Sequence, residues 1–348
     1  MSSISLKNVT KAFGSEVVIE NLNLNIRDGS FTVLVGASGC GKTTTLRMIT
    51  GLETVTAGDI YIDNERVNDI APGKRNISMV FQNYALYPTM TVEENIEFGL
   101  VNKKVPKEER KRRIREVCDI VGLTEYLKRK PANLSGGQRQ RVALARAMVK
   151  EPRVFMMDEP LSNLDAKLRA QMRVELINMH KRMGTTFVYV THDQIEAMSM
   201  ADDIVLMDKG KIIQQSNPKE LYHNPNSVFT AQFIGTPQTN IIDGFLPDQM
   251  KLGIRPEKIR LTEESGTESV RFRGQIQTKE MLGSEIIYSI LTKYGTLMCK
   301  SEIDADDGAS LDLSVPYENM YLFDKDGRRI PFDASAKEAV RTVFGDQP

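Results

Sequence analysis

Several residue groups in this 348-residue chain have the types and spacing to handle a phosphate. The stretch Gly36-Ala37-Ser38-Gly39-Cys40-Gly41-Lys42-Thr43-Thr44 contains the pattern G-x-x-x-x-G-K-[ST]. Gly36, Gly39 and Gly41 let the backbone curl so that successive N–H groups face an anion. A helix starting behind the loop adds partial positive charge. Lys42 supplies a mobile full charge for the outer phosphates, and the Thr43 hydroxyl can ligate Mg²⁺. Cys40 reads as a small spacer. A glycine-rich turn with an incidental Lys-Thr is the bland alternative, and the placement between a strand and a helix argues against it.

Asp158-Glu159 ends the apolar run Val154-Phe155-Met156-Met157. Ligands of open parallel sheets bind beyond the carboxyl ends of the strands. There Asp158 can reach a Mg²⁺, and Glu159 can act as general base on an attacking water. His192 follows Phe187-Val188-Tyr189-Val190-Thr191 at the same edge, where it can donate to a γ-phosphate. His180 and His223 lack that placement and read as structural. Leu134-Ser135-Gly136-Gly137-Gln138 opens a helix and makes a further anion site, with Ser135 as an extra donor. Two phosphate-binding helix starts either converge within one monomer or serve a nucleotide held by another copy.

The elements that must position these groups are legible as patterns. Val17-Val18-Ile19 and Leu22, Leu24, Ile26 predict early strands joined by a turn near Phe13-Gly14-Ser15. Thr32-Val33-Leu34-Val35 predicts a strand buried on both faces, and Thr44 to Ile49 a helix. The region from about Pro106 to Lys150 reads as helical, with Ile114, Val117, Ile120 and Val121 at helical spacing. Its run Lys107 to Arg115 is basic, but Glu108, Glu109 and Glu116 interleave, so a solvated face is expected rather than a nucleic-acid patch. A helix over about Lys167 to Met183 separates two buried strands, which predicts a parallel sheet. Ile204-Val205-Leu206-Met207 and Ile212-Ile213 flank a hairpin turn at Lys209-Gly210. From Thr236 to about Phe332 short alternating strands replace helical periodicity, and the tail Ala334 to Phe344 reads as a short helix. The expected division is 1–235 and 236–348.

Bulk properties bound the function. Lys+Arg and Asp+Glu are 46 each, so a nucleic-acid binder driven by overall charge is disfavoured. Cys40, Cys118 and Cys299 are too few and too widely spaced for a disulfide framework, and a reducing cytosol fits them. The N-terminus lacks a signal-peptide pattern, and no apolar run is long enough to span a bilayer. Any membrane role is expected to come through a partner.

In that order, the phosphate loop, Gln82, Leu134-Ser135-Gly136-Gly137-Gln138, Asp158-Glu159, Ser162-Asn163-Leu164-Asp165 and His192 resemble the motifs of ABC transporter ATPases. The segment Leu252-Gly253-Ile254-Arg255-Pro256-Glu257 extends the resemblance to bacterial importers for sugars and polyols, the maltose and glycerol-phosphate type. The resemblance implies an α/β P-loop NTPase core with antiparallel β and helical subdomains, the latter over about 85–150. It also implies a C-terminal all-β regulatory domain of small OB-like (TOBE) barrels. Further implications are ATP and Mg²⁺ as cofactors, Phe13 stacked on adenine, and Mg²⁺ held by Thr43, Gln82 and Asp158. Catalysis falls to Glu159, His192 and Gln82. Ser135, Gly136, Gly137 and Gln138 are expected to bind ATP held on an opposite subunit, with Asp165 crossing the interface. The implied partners are a second copy or a paralogous ATPase, transmembrane permease subunits near Asn83 to Thr91, and indirectly an extracytoplasmic solute-binding protein; nucleic acid is not among them. The implied place is the cytoplasmic face of the membrane. Importers of iron, sulfate or polyamines, and soluble ABC ATPases, stand as alternatives.

Overall fold

Ile4–Phe13 (β1) and Glu16–Ile26 (β2) pair antiparallel around Gly14, whose φ of 61° suits the tight turn. In the computed structural model, which describes residues 2–261 and 268–344, this hairpin belongs to a sheet of order β2-β1-β4-β5. Ala57–Ile62 (β4) and Glu65–Arg66 (β5) complete it. Between β2 and β4 come Phe31–Gly36 (β3), buried at every residue, and the helix Lys42–Thr50 (α1).

The second sheet carries the chemistry. Its strands are β3, Ile77–Val80 (β6), Val154–Asp158 (β7), Thr186–Thr191 (β8), Asp203–Asp208 (β9) and Lys211–Ser216 (β10), in the order β10-β9-β3-β8-β7-β6. All neighbours run parallel except β10, which returns antiparallel through Lys209 and Gly210, both at positive φ. β7 and β8 are buried throughout, as continuous apolar runs covered on both faces should be. One consequence decides the site: the loops after β3, β8, β7 and β6 leave the same edge, side by side.

Val92–Asn102 (α2), Lys107–Val121 (α3) and Gly136–Met148 (α4) intervene between β6 and β7. The stretch expected to be helical from Pro106 to Lys150 is therefore broken. Gly122, at φ 64°, ends α3, and the short turn Pro131–Asn133 precedes α4. The basic run on α3 is a solvated face: Arg112 pairs with Glu109 and Glu116, and Arg113 with Glu109. Ala166–Met183 (α5) joins β7 to β8, and Gln194–Met200 (α6) follows β8. His180, on α5, bonds the Gly29 carbonyl at 3.0 Å and packs edge-on against Phe31 and Phe187, a structural role as expected.

The chain divides into compact units at 1–218 and 219–348, earlier than the expected 235/236 boundary. The helices Pro218–His223 (α7) and Val228–Phe233 (α8) lead into the second unit. There Asn240–Ile242 (β11), Lys251–Ile254 (β12), Met320–Phe323 (β18) and Arg329–Ile330 (β19) form one antiparallel sheet. Arg260–Leu261 (β13), Ser269–Met281 (β14), Ile286–Thr292 (β15), Gly295–Ser301 (β16) and Ser310–Pro316 (β17) form another. The alternation read in the sequence places Val270, Phe272, Leu313 and Val315 in their shared core. The expected terminal helix is present as Ala334–Phe344 (α9), with Val340 and Phe344 buried in that core.

Candidate active site

The loop after β3 is built by close approach. A side chain at Gly36 would put its Cβ 2.2 Å from the Met207 carbonyl oxygen of β9, so only glycine fits. Gly41, at φ 103°, starts α1. Lys42 is 5% exposed and folds back over the loop, its Nζ donating to the Gly36 and Ala37 carbonyls at 2.8 Å each. Those acceptors hold the cation where phosphate oxygens could take their place. Burial pushes the Cys40 thiol up, and the neighbouring Lys42 opposes the rise.

Thr43, the next residue, donates its hydroxyl to Asp158 Oδ1 at 2.8 Å. This bond joins the first turn of α1 to the end of β7, across β8. The Asp158 carboxyl is buried, and that burial raises its pKa; the Thr43 bond opposes the rise and the Glu159 charge adds to it. Glu159 has φ 44°, a left-handed conformation that costs a non-glycine residue about 1–3 kcal/mol. Its N–H donates to the Val190 carbonyl at 3.0 Å, and Oε2 lies 3.2 Å from His192 Nδ1. The strained turn thus aims Glu159 along the sheet edge at the histidine after β8.

Gln82 enters from β6. Its Nε2 donates to Ser162 Oγ at 3.3 Å, and Ser162 Oγ donates to the Glu159 carbonyl at 2.9 Å. Asn163 Nδ2 donates to the Gln82 carbonyl at 3.0 Å. Ser162 and Asn163 hold the edge together, yet sequence reasoning gave them no role. Their signal was membership of the motif Ser162-Asn163-Leu164-Asp165, in which only Asp165 was given a task.

The remaining residues stand elsewhere. Phe13 ends β1 with 47% of its surface exposed, and Lys11 Nζ lies 4.5 Å from its ring centroid. Ser135 caps α4 reciprocally with Gln138: Ser135 N–H donates to Gln138 Oε1 at 2.9 Å and Gln138 N–H to Ser135 Oγ at 3.3 Å. A methyl on Gly136 would sit 3.5 Å from Leu164, and one on Gly137 2.9 Å from Leu168, so this turn lies against the start of α5. Asp165 caps α5 through the Leu168 N–H at 2.9 Å.

Family comparison agrees with this layout. The model described as "ABC transporter" matches residues 19–162, and that of the TOBE domain matches 252–323. The maltose/maltodextrin import ATP-binding protein MalK of Salmonella typhi is 45% identical, over 94% of this chain and 97% of its own length. The chain belongs to the ABC transporter ATPases. Another relative, the sn-glycerol-3-phosphate import ATP-binding protein UgpC of Brucella abortus, is 46% identical over 95% of this chain and 99% of itself. Among solved ABC structures, the ATP-binding cassette MJ0796, a dimer in a post-hydrolysis state bound to ADP and Pi, shares 36% identity. It aligns with TM-score 0.56 over 62% of this chain and 98% of its own. The cbiO1 protein of Clostridium perfringens, part of the cbiONQ ABC complex, aligns with TM-score 0.59 at 29% identity, over 63% of this chain and 89% of that one. Among the described residues, no helix is long and apolar enough to cross a membrane.

Proposed function

We propose that this chain is the ATP-hydrolysing subunit that powers a bacterial importer of sugars or polyols. The observation that carries the reading is the convergence of Lys42, Thr43, Gln82, Asp158, Glu159 and His192 on one carboxyl edge of a parallel sheet. The solute class follows the relatives, whose names specify maltose/maltodextrin and sn-glycerol-3-phosphate import.

In this reading the N–H groups from Gly36 to Thr44 and the Lys42 ammonium bind the triphosphate, and Phe13 stacks on adenine. Thr43, Asp158 and Gln82 would hold Mg²⁺; a hydroxyl 2.8 Å from a buried carboxylate is an oxygen donor set suited to that hard cation. Bound there, the ion would neutralise charge on the transferring phosphoryl group. Glu159 takes the proton of the attacking water, and His192, oriented by Glu159, donates to the γ-phosphate. The turn Ser135-Gly136-Gly137-Gln138 grips the ATP of a second subunit, and Asp165 faces that subunit. Two such chains, or this chain and a paralogue, work at the cytoplasmic face on permease subunits fed by an external solute-binding protein. The 219–348 unit acts as the regulatory domain.

Glu159→Gln keeps the shape of the site and removes the base. ATP affinity should stay, while turnover of the purified full-length chain falls by about 10²–10⁴-fold. Near-normal turnover would remove Glu159 from the role. For the solute, uptake of labelled maltose and glycerol-3-phosphate is compared in cells with and without this chain, beside analysis of co-purifying membrane subunits. Unchanged uptake of sugars and polyols, with no hydrophobic partner recovered, would defeat the importer assignment.

A further inference from the structure

Arg169 sits in the first turn of α5, its N–H on the Asp165 carbonyl at 2.8 Å. Its guanidinium reaches two loops. Nη2 donates to the Leu164 carbonyl at 3.1 Å, inside the loop that carries Asp165. Nη1 donates to Asp193 Oδ2 at 3.3 Å, one residue after His192.

The Asp193 end is firmly set. Asp193 Oδ1 accepts from the Ile195 and Glu196 N–H groups at 2.7 and 3.1 Å, and its own N–H donates to Thr191 Oγ1 at 3.0 Å. Thr191 Oγ1 donates in turn to the buried Glu196 Oε2 at 2.6 Å, and the Tyr189 hydroxyl reaches the same oxygen at 2.9 Å. The turn presenting His192 is thus tied to β8 and α6, and one guanidinium spans from it to the Asp165 loop.

The other end has play. Arg169 Nε is buried and finds no hydrogen-bond partner among the described residues, a costly state for a charged donor. In a guanidinium Nε–H and Nη2 share an edge, so the unused donor faces the Leu164 side. A shift of that loop can exchange one acceptor bond for another without releasing the arginine.

We propose that Arg169 is a positioning residue for hydrolysis. Through Asp193 it keeps His192 in register with the Asp165 loop, so that docking of a second subunit on that loop sets His192 toward the γ-phosphate. The inference rests on the functional reading above and adds the regulation of that same site.

The test uses purified full-length chain with ATP and Mg²⁺, reading kcat and KM by phosphate release. Arg169→Met keeps length and packing but removes every donor. KM should be unchanged and kcat should fall by about 10- to 100-fold, the penalty of a misplacement near 1 Å. Asp193→Asn should lose a similar factor, and the double variant should lose no more than either single, because both cut one link. Arg169→Lys, which keeps the charge but not the fork, should recover part of kcat. Losses that multiply in the double variant, or a normal kcat in folded Arg169→Met, overturn the proposal. Should Arg169→Met fail to fold, Arg169→Lys, Asp193→Asn and their double carry the same comparison. Glu159→Gln separates the two readings. A wild-type chain that hydrolyses ATP and stops doing so in Glu159→Gln keeps the functional reading whatever Arg169→Met does. A wild-type chain without ATPase activity removes both.

Discussion

A carboxylate ending a buried strand needs compensation, and Asp158 has only part of it. Burial outweighs the Thr43 hydrogen bond, so its pKa stands above the ordinary 3.8. The folded state then binds the proton more tightly than the unfolded one. Stability therefore falls as pH rises from the unfolded value through the folded one, and the deficit persists at neutral pH. Asp158→Asn should raise the melting temperature of nucleotide-free, Mg²⁺-free protein at pH 7. The gain should shrink as pH drops toward 3.8, and calorimetry at several pH values checks both. An equal or lower melting temperature at pH 7 would mean the carboxylate is better compensated than its burial implies. Lys42, Thr43, Asp158 and His192 could be read from sequence because their side chains carry unusual chemistry at fixed spacings. Ser162 and Asn163 were picked out only as members of a motif, without roles, and Arg169 and Asp193 were given none. Their contribution is the orientation of other groups, and no residue type encodes that. The left-handed backbone of Glu159 was equally hidden, since glutamate gives no sign of positive φ.

Helix starts do two jobs in this protein. Gly41 and Ser135 begin helices with uncharged starts, Gly41 with no side-chain cap and Ser135 with a neutral cap shared with Gln138, whereas Asp165 and Asp193 fill the ends of α5 and α6 with carboxylates of their own. A capped, acid-filled end repels phosphate. This contrast in charge, more than the glycine count, supports the proposal that α1 and α4 are the phosphate-facing pair. Ser135→Arg removes the reciprocal cap with Gln138 at a cost of about 1 kcal/mol, and it places a long side chain where the second subunit's nucleotide would sit. Monomeric ATP affinity should be unchanged. ATP-dependent dimerisation in the Glu159→Gln background should be lost, as light scattering would show; dimers of normal stability would place the nucleotide contact elsewhere. The long apolar strands β3, β7 and β8 were legible because both of their faces are covered. β6 was not, since Ile77-Ser78-Met79-Val80 buries Ser78 and offers no apolar run. Gln82 is therefore legible by resemblance alone, because the strand that delivers it carries no readable pattern.

At the scale of the whole chain, the described residues form one large core around β1–β4, β7–β9 and α1 and another around β11–β18 and α9, with no residue in common. Domains with their own cores can be perturbed separately. Arg255 offers the means. It is 1% exposed, lies 3.8 Å from the Tyr222 ring centroid, and donates to the Ile234 and Tyr222 carbonyls at 2.6 Å each. It also donates to Thr239 Oγ1 and the Tyr321 hydroxyl at 3.2 Å. No carboxylate is among these partners, so the charge is held by carbonyl and hydroxyl dipoles and by a ring face. All of these groups lie in the 219–348 unit. The sequence signalled the segment Leu252 to Glu257 but not this role, because buried arginine is rare and its acceptors come from distant positions. Arg255→Met should leave those acceptors unpaired and cost the second unit about 2–3 kcal/mol. ATP affinity in the first unit should not change. Calorimetry and nucleotide titration of one preparation would show a lowered transition beside an unaltered binding curve. A parallel loss of ATP binding would mean that the nucleotide site depends on the folded state of the second core, and the two units would then have to be treated as one cooperative body.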